Sequence, residues 1–168
     1  YIVHMADKEG LEACIRAKEE GAPVYVETCP QYLEFTCDVY KREDGRNFVC
    51  SPPMKGQESL DALWEAIKDG FIDTIATDHC PFQSYEKDWG KDDFTKIPNG
   101  CAGVENMYPY MLDAANSGKI TFEKVVELCS ANPAKIFGCT DKGSLSIGKD
   151  ADIVIYDKDK DFTISVSN

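Results

Sequence analysis

The chain has 168 residues and a formal net charge of −12 at pH 7; 43% of its residues are hydrophobic and 29% are charged. This composition is typical of a folded cytoplasmic protein, and the length suits one domain or part of a larger one. The negative charge argues against binding to nucleic acid or anionic membranes, because both need a basic surface. No apolar run reaches the roughly 20 residues that span a bilayer.

The first half of the chain alternates predicted strands with predicted helices. Apolar runs at 1–5, 24–29 and 74–78 predict three strands, and residues 7–20 predict a helix between the first two. A second helix ending at Gly70 is indicated by the i, i+3, i+4, i+7 spacing of Leu60, Leu63, Trp64 and Ile67. Alternation with short links favours βα units and a parallel sheet. Tyr1 stands within an apolar run, so we expect that the chain was cut from a longer one.

The second half begins with residues 79–103, which are rich in glycine and proline and show no sustained period. A loop of that length is usually functional or disordered. Helices are predicted at 104–117 and 122–131, followed by Asn132 as an N-cap with Pro133 at the first helical position.

Two further strands are predicted at 151–156 and 162–166. Three βα strands are too few for a closed (β/α)8 barrel, which needs about 200 residues or more. The fold class is therefore α/β, as part of a barrel. A partial barrel of this kind must pack against additional polypeptide, associate with itself or leave apolar surface exposed.

Eight cysteines are present, none at Cys-x-x-Cys spacing, which argues against a thiolate zinc site. Ordinary hydrophobic content and the lack of a recognisable signal peptide argue against a disulfide framework. We expect free thiols in a reducing cytosol.

The only two histidines are His4 and His79. His4 ends the first predicted strand and Asp78 ends the third, so both would lie at the carboxyl-end face where barrel enzymes place catalysis. Taken alone, a strand histidine is more often a core residue, and Asp78 could equally cap a helix. Because adjacent strand residues point to opposite faces, Asp78 and His79 should not converge on one atom. Cys80 is interpreted as a buried, inert thiol.

Seven segments in chain order resemble the dihydropyrimidinase/hydantoinase family of the amidohydrolase superfamily. They are residues 3–5 (VHM), 27–33 (ETCPQYL), 50–53 (CSPP), 76–82 (ATDHCPF), 90–100 (GKDDFTKIPNG), 132–138 (NPAKIFG) and 148–155 (GKDADIVI). The last two occur widely in the superfamily. The segment at 90–100 and the ETCP form favour the dihydropyrimidinase branch over dihydroorotases and allantoinases.

The resemblance implies that residues 1–140 form the C-terminal part of a TIM barrel, about strands 6 to 8. Residues 141–168 would then begin a small β-sandwich domain. It also implies two divalent metal ions, usually zinc, held by a His-x-His pair, a bridging carboxylated lysine, two more histidines and one aspartate. The parent enzyme would be a cytoplasmic homo-oligomer, a tetramer, acting on a small cyclic amide.

Four residues take roles from this resemblance. His4 matches the sixth-strand histidine ligand, and Asp78 matches the aspartate ligand on the eighth strand. Ser51 and Asn99 match the positions that hold the cyclic amide or imide, largely through backbone groups. A metal-bound hydroxide would attack the ring carbonyl, and Asp78 would pass its proton to the departing ring nitrogen. The product would be an N-carbamoyl amino acid.

The other four ligands of the family are missing from the sequence, which has no His-x-His pair. We therefore expect the isolated chain to bind metal weakly and to lack hydrolase activity, since catalytic zinc normally has three protein ligands. The alternatives are a non-catalytic dihydropyrimidinase-related interaction protein, another cyclic amidohydrolase such as an allantoinase, and a self-standing interaction module. Retention of His4 and Asp78 argues against the first of these.

Overall fold

A computed structural model of the chain describes residues 1–160 and 163. Two short strands are described, β1 (Glu27–Thr28) and β2 (Thr74–Ile75). The α-helices are α1 (Lys8–Glu19), α2 (Pro30–Glu34), α3 (Gln57–Asp69), α4 (Ser84–Lys87), α5 (Met107–Asn116), α6 (Phe122–Val126) and α7 (Asn132–Ile136). Short 3-10 turns lie at Cys37–Lys41, Gly45–Phe48, Asp88–Gly90 and Phe94–Lys96, and a π-helical turn lies at Glu127–Ala131.

Three segments run parallel to one another at the centre of the fold. Strand β1 pairs with β2 in the register Glu27–Thr74, and an isolated parallel bridge joins Ile2 to Val26. The strands predicted at 24–29 and 74–78 are therefore present with the predicted parallel direction, although each is only two residues long. The strand predicted at 1–5 is reduced to an isolated bridge at Ile2. At the carboxyl ends of the outer segments, positive φ angles at His4 and Asp78 turn the chain out of the extended conformation.

The two predicted amphipathic helices are confirmed. Helix α1 begins after Asp7, whose carboxylate accepts a hydrogen bond from the Gly10 backbone N–H at 2.7 Å. Helix α3 ends at Gly70, which has a φ of 81°, a conformation that favours glycine. Both helices cover the parallel segments with their apolar faces, and Leu11 and Leu63 are fully buried there.

Side-chain hydrogen bonds fix α2, α3 and α5 around one backbone carbonyl. The indole Nε1 of Trp64 donates to the carbonyl oxygen of Leu33 at 2.9 Å, and the Tyr110 hydroxyl donates to the same oxygen at 3.1 Å. Both ring systems thereby satisfy their polar atoms while burying their apolar surface. This arrangement places the segment after β1 firmly against the helical layer.

Three predictions for the second half are wrong. Residues 79–103 are not a featureless loop, because they contain α4 and two 3-10 turns. Asn132 does not cap a helix: the chain is already helical before it, and its side-chain amide donates to the Asp73 carbonyl at 2.9 Å. Residues 151–156 form no strand; this apolar run finds no neighbouring strand, and Ile155 is 92% exposed. The strand predicted at 162–166 lies outside the described residues, apart from Thr163.

The eight cysteines are all free thiols, as predicted. Among residues 1–160 and 163, no helix combines the length and the apolar character needed to cross a bilayer. Apolar side chains remain exposed at the outer parallel segment, including Ile2 and Val3, which is the exposure expected of part of a barrel.

Candidate functional site

The carboxyl ends of the parallel segments carry the two residues predicted as metal ligands. His4 follows the segment bridged at Ile2, and Asp78 follows β2. Their φ angles are 40° and 48°, and they are the only non-glycine residues with positive φ in the described part of the chain. Such a backbone conformation is costly for residues with side chains, and it clusters at functional sites. Neither the apolar pattern nor residue spacing could have predicted it.

Asp78 is exposed, and several thiols lie close enough to sense its charge. Burial, together with the charges of Glu27 and Asp78, raises the pKa of the Cys29 thiol well above its usual range. A hydrogen bond with Cys101, burial and, less strongly, the charge of Asp78 raise the pKa of the Cys50 thiol. The carboxylate of Asp78 is therefore near enough to both thiols to oppose their ionisation.

The two residues predicted to hold substrate are brought together. The Ser51 hydroxyl donates a hydrogen bond to Oδ1 of Asn99 at 3.0 Å, and both residues are exposed. The Asn99 side-chain amide in turn donates to the Ile97 carbonyl at 3.1 Å. The backbone N–H of Gly100 donates to the Val49 carbonyl at 3.0 Å, so the two loops are also joined through their main chains.

The imidazole ring of His79 is engaged by hydrogen bonds from the backbone. Its Nδ1 accepts hydrogen bonds from the N–H groups of Gly103 at 3.0 Å and Val104 at 3.3 Å. These two contacts engage Nδ1, so His79 anchors the loop at 103–104 through this nitrogen. The interpretation of Cys80 as a buried thiol is wrong, because Cys80 is exposed beyond the end of β2.

Two residues near Asn99 escaped the sequence analysis. Lys87 is buried on α4 and donates hydrogen bonds to three backbone carbonyls. One of these acceptors is the carbonyl oxygen of Gly100 at 2.8 Å. Cys101 lies against Cys50, and the hydrogen bond from Cys50 lowers the pKa of the Cys101 thiol, with a further contribution from the charge of Lys87. No spacing rule identifies a lysine or a thiol pair of this kind, since the contacts join distant segments.

A cavity of about 790 Å³ lies between α2, α5 and the loop around Phe82, and Lys87, Gly100 and Cys101 are among the residues that line it. None of His4, Ser51, Asp78 and Asn99 lines it. Ser51, Asp78 and Asn99 are exposed, and His4 is half-buried.

The side chains that are present provide few ligands for a metal ion. In residues 1–160 and 163, no group of three or more His, Cys, Asp or Glu side chains is arranged to hold a metal ion. His4 and Asp78 supply two ligands at most, whereas a catalytic zinc site normally takes three from the protein. The described residues therefore do not by themselves form a site for two metal ions.

Comparison with known proteins gives a consistent assignment. Residues 3–168 match the model of the amidohydrolase family. The chain is 40% identical to a D-hydantoinase of Streptomyces coelicolor over 98% of its own length and 36% of the relative's. It is 44% identical to a D-phenylhydantoinase of Escherichia coli over 94% of its length and 35% of that protein.

Solved structures agree with the sequence matches. The crystal structure of dihydropyrimidinase from Brevibacillus agri superposes with a TM-score of 0.86 at 38% identity, covering 90% of this chain and 34% of that one. The chain thus spans about a third of the length of its relatives. Its three parallel segments with flanking helices are consistent with part of an amidohydrolase barrel. The chain belongs to the amidohydrolase family, on its hydantoinase and dihydropyrimidinase branch.

Proposed function

We propose that this chain forms part of the active site of an enzyme that hydrolyses the cyclic amide bond of hydantoins or dihydropyrimidines. The products would be N-carbamoyl amino acids. Relatives that bear the names D-hydantoinase, D-phenylhydantoinase and dihydropyrimidinase support this reaction class. Because the chain spans about a third of those proteins, the whole reaction is proposed for the complete enzyme that contains this chain.

The observation that carries the proposal is the shared backbone geometry of His4 and Asp78. Both residues adopt the left-handed conformation at the carboxyl end of a parallel segment, with β1 between the two segments. Barrel enzymes place their catalytic groups on this face. Strain at two separate strand ends is difficult to explain by packing alone, whereas directing both side chains to one site accounts for it.

The proposed roles follow from the chemistry of each side chain. Asp78 is exposed, so its carboxylate can take a proton from the attacking water and deliver it to the leaving ring nitrogen. Ser51 and Asn99 present polar groups from two joined loops and would hold the amide or imide of the ring. The hydrogen bonds that they make to the ring would orient its carbonyl toward the water.

His4 and Asp78 are proposed as two of the ligands in a metal centre that is completed by chain not present in these 168 residues. Hydantoinases of this family are generally metal-dependent, and zinc is the metal that we expect. Since the two ligands do not form a site on their own, the isolated chain should retain less than one equivalent of zinc after dialysis.

The boundary at residue 140 with a β-sandwich after it, the cytoplasmic location and the tetrameric assembly remain predictions. Exposed Ile2 and Val3 at the outer parallel segment support association with further protein surface. A sedimentation measurement on the complete enzyme would test the tetramer directly.

The experiment that tests the function compares two samples. The isolated chain and the longest gene product that contains it are each supplied with zinc and assayed for ring opening of hydantoin and dihydrouracil. Turnover by the longer product alone is the expected result. Turnover of neither ring by the longer product would overturn the function, and it would favour a non-catalytic interaction protein. Comparable turnover by the isolated chain would refute its expected inactivity.

A further inference from the structure

Lys87 is a buried lysine, with only 2% of its surface exposed. Its ammonium group donates hydrogen bonds to the carbonyl oxygens of Val49 at 2.8 Å, Pro98 at 2.6 Å and Gly100 at 2.8 Å. A lysine ammonium has three N–H donors and no acceptor, so these three carbonyls use its whole hydrogen-bonding capacity.

The three carbonyls surround the proposed substrate-holding residues. Pro98 and Gly100 flank Asn99 on both sides, and Val49 lies two positions before Ser51. The Val49 carbonyl also accepts a hydrogen bond from the Gly100 N–H at 3.0 Å. One ammonium group therefore joins the Ser51 loop to the Asn99 loop, next to the Ser51–Asn99 hydrogen bond.

The chemistry of this contact is unusual for a lysine that serves only stability. No carboxylate of the described residues pairs with Lys87, and the aromatic ring of Phe82 lies 5.3 Å from its ammonium nitrogen. Burial lowers the pKa of Lys87, and three carbonyl dipoles stabilise its charge in place of a carboxylate. Burying a charge without an opposite charge is costly, and an apolar side chain of similar size would fill the space.

Lys18 provides the comparison within the same chain. Its side chain is 17% exposed, and its ammonium group pairs with Asp73 and donates to the Phe71 carbonyl at 2.9 Å. That contact ties α1 to the start of β2, and it includes neither Ser51 nor Asn99. A poorly exposed lysine in this fold can therefore satisfy its charge with a carboxylate, and Lys87 does not do so.

We propose that Lys87 is a positioning residue for the cyclic amide substrate. It fixes the spacing and orientation of the Ser51 and Asn99 loops, and it does so without touching the substrate. This inference rests on the proposed function, because it assigns Lys87 to the residues that hold the ring. Loops held in this way bind the ring without first having to be ordered, which strengthens substrate binding.

The test uses the complete enzyme with its metal and three variants. Lys87→Met removes all three donors and leaves an unbranched side chain that is one atom shorter. Lys87→Arg keeps the charge and several donors, but its planar group cannot meet three carbonyls in the same geometry. Lys18→Met is the matched control, because it also removes a poorly exposed ammonium group.

The expected result is a split between KM and kcat. Lys87→Met should raise KM for hydantoin or dihydrouracil about tenfold or more, with kcat changed less than about threefold, because binding is lost equally in the ground and transition states. Lys87→Arg should recover part of the loss, and zinc content should equal that of the unaltered enzyme. Lys18→Met should lower the thermal midpoint and leave KM unchanged. A KM for Lys87→Met within twofold of normal, or an equal rise in Lys18→Met, would overturn the inference.

A second measurement covers the case in which Lys87→Met fails to fold in the complete enzyme. Hydrogen exchange of the Gly100 amide is followed in the complete enzyme, with Lys87→Arg and Lys18→Met compared to the unaltered enzyme. If exchange is faster by about threefold or more in Lys87→Arg and unchanged in Lys18→Met, the positioning role of Lys87 is supported. Equal rates in all three proteins refute it. Inactivity of the unaltered complete enzyme would refute the proposed function. Normal activity, with the same exchange rate of the Gly100 amide in all variants, would refute only the inference about Lys87.

Discussion

The Ser51 hydroxyl donates a hydrogen bond to Oδ1 of Asn99 at 3.0 Å, although 48 positions separate the two residues in sequence. Each stands in a segment that resembles a substrate-holding motif, and the fold puts the two motifs in contact. Polar groups on two joined loops can grip one small ring from two directions. Because Ser51 and Asn99 contact each other, the energetic coupling between substitutions at the two positions tests the proposed site.

Ser51→Ala and Asn99→Ala should each raise KM by roughly fivefold, because each removes the hydrogen bond that joins the two loops, worth about 1 kcal/mol. Because the residues contact each other, the double variant should raise KM by less than the product of the single effects. Michaelis constants of all four proteins for one cyclic substrate give the coupling. Strictly multiplicative effects would contradict a shared site.

Asp78→Asn should reduce kcat in the complete enzyme by about 10²- to 10⁴-fold, the range for loss of a positioned general base and acid. The amide is similar in size to the carboxylate but cannot accept a proton at neutral pH. Asp69→Asn, at the exposed end of α3, is the control and should keep normal turnover. Activity of Asp78→Asn within tenfold of normal would remove Asp78 from the proposed mechanism.

Gly100→Ala should destabilise the chain more than Gly118→Ala. At position 100 an added Cβ would lie 2.4 Å from the Cys80 carbonyl oxygen, whereas at position 118 nothing lies within 4 Å. Both have positive φ, so strain of about 1 kcal/mol applies to each. The backbone clash at position 100 adds about 1–3 kcal/mol, as in other overpacked sites. Urea unfolding of both variants measures the difference, and equal midpoints would refute the close approach.

Cys101 should react with iodoacetamide at lower pH than an ordinary thiol. The hydrogen bond from Cys50 and the charge of Lys87 lower its pKa, so the reactive thiolate is populated at lower pH. Cys50→Ala should therefore move the midpoint of the rate-against-pH curve upward. Cys129 is the internal reference, because burial raises its pKa to about 12. Mass spectrometry of each peptide follows both thiols, and an unchanged midpoint in Cys50→Ala would disprove the contact.

The sequence by itself determined the helical layer and the family. The spacing of Leu60, Leu63, Trp64 and Ile67 predicts α3, since a helix buries one stripe of side chains and no other regular structure has that period. It also located the three parallel segments, because buried strands leave short apolar runs. It failed at residues 151–156, because an apolar run forms a strand only where a neighbouring strand is available to pair with it.

Only the tertiary structure decided how the candidate site is built. The left-handed backbone conformation of His4 and Asp78 appears only in the folded chain. The Ser51–Asn99 contact and the hydrogen bond from Lys87 to the Val49 carbonyl each join segments that are far apart in sequence. Local patterns report which face of an element is buried, and they carry no information about which distant carbonyl a buried ammonium group will meet. That pairing is settled when the loops pack, because a buried charge must find acceptors wherever the fold supplies them.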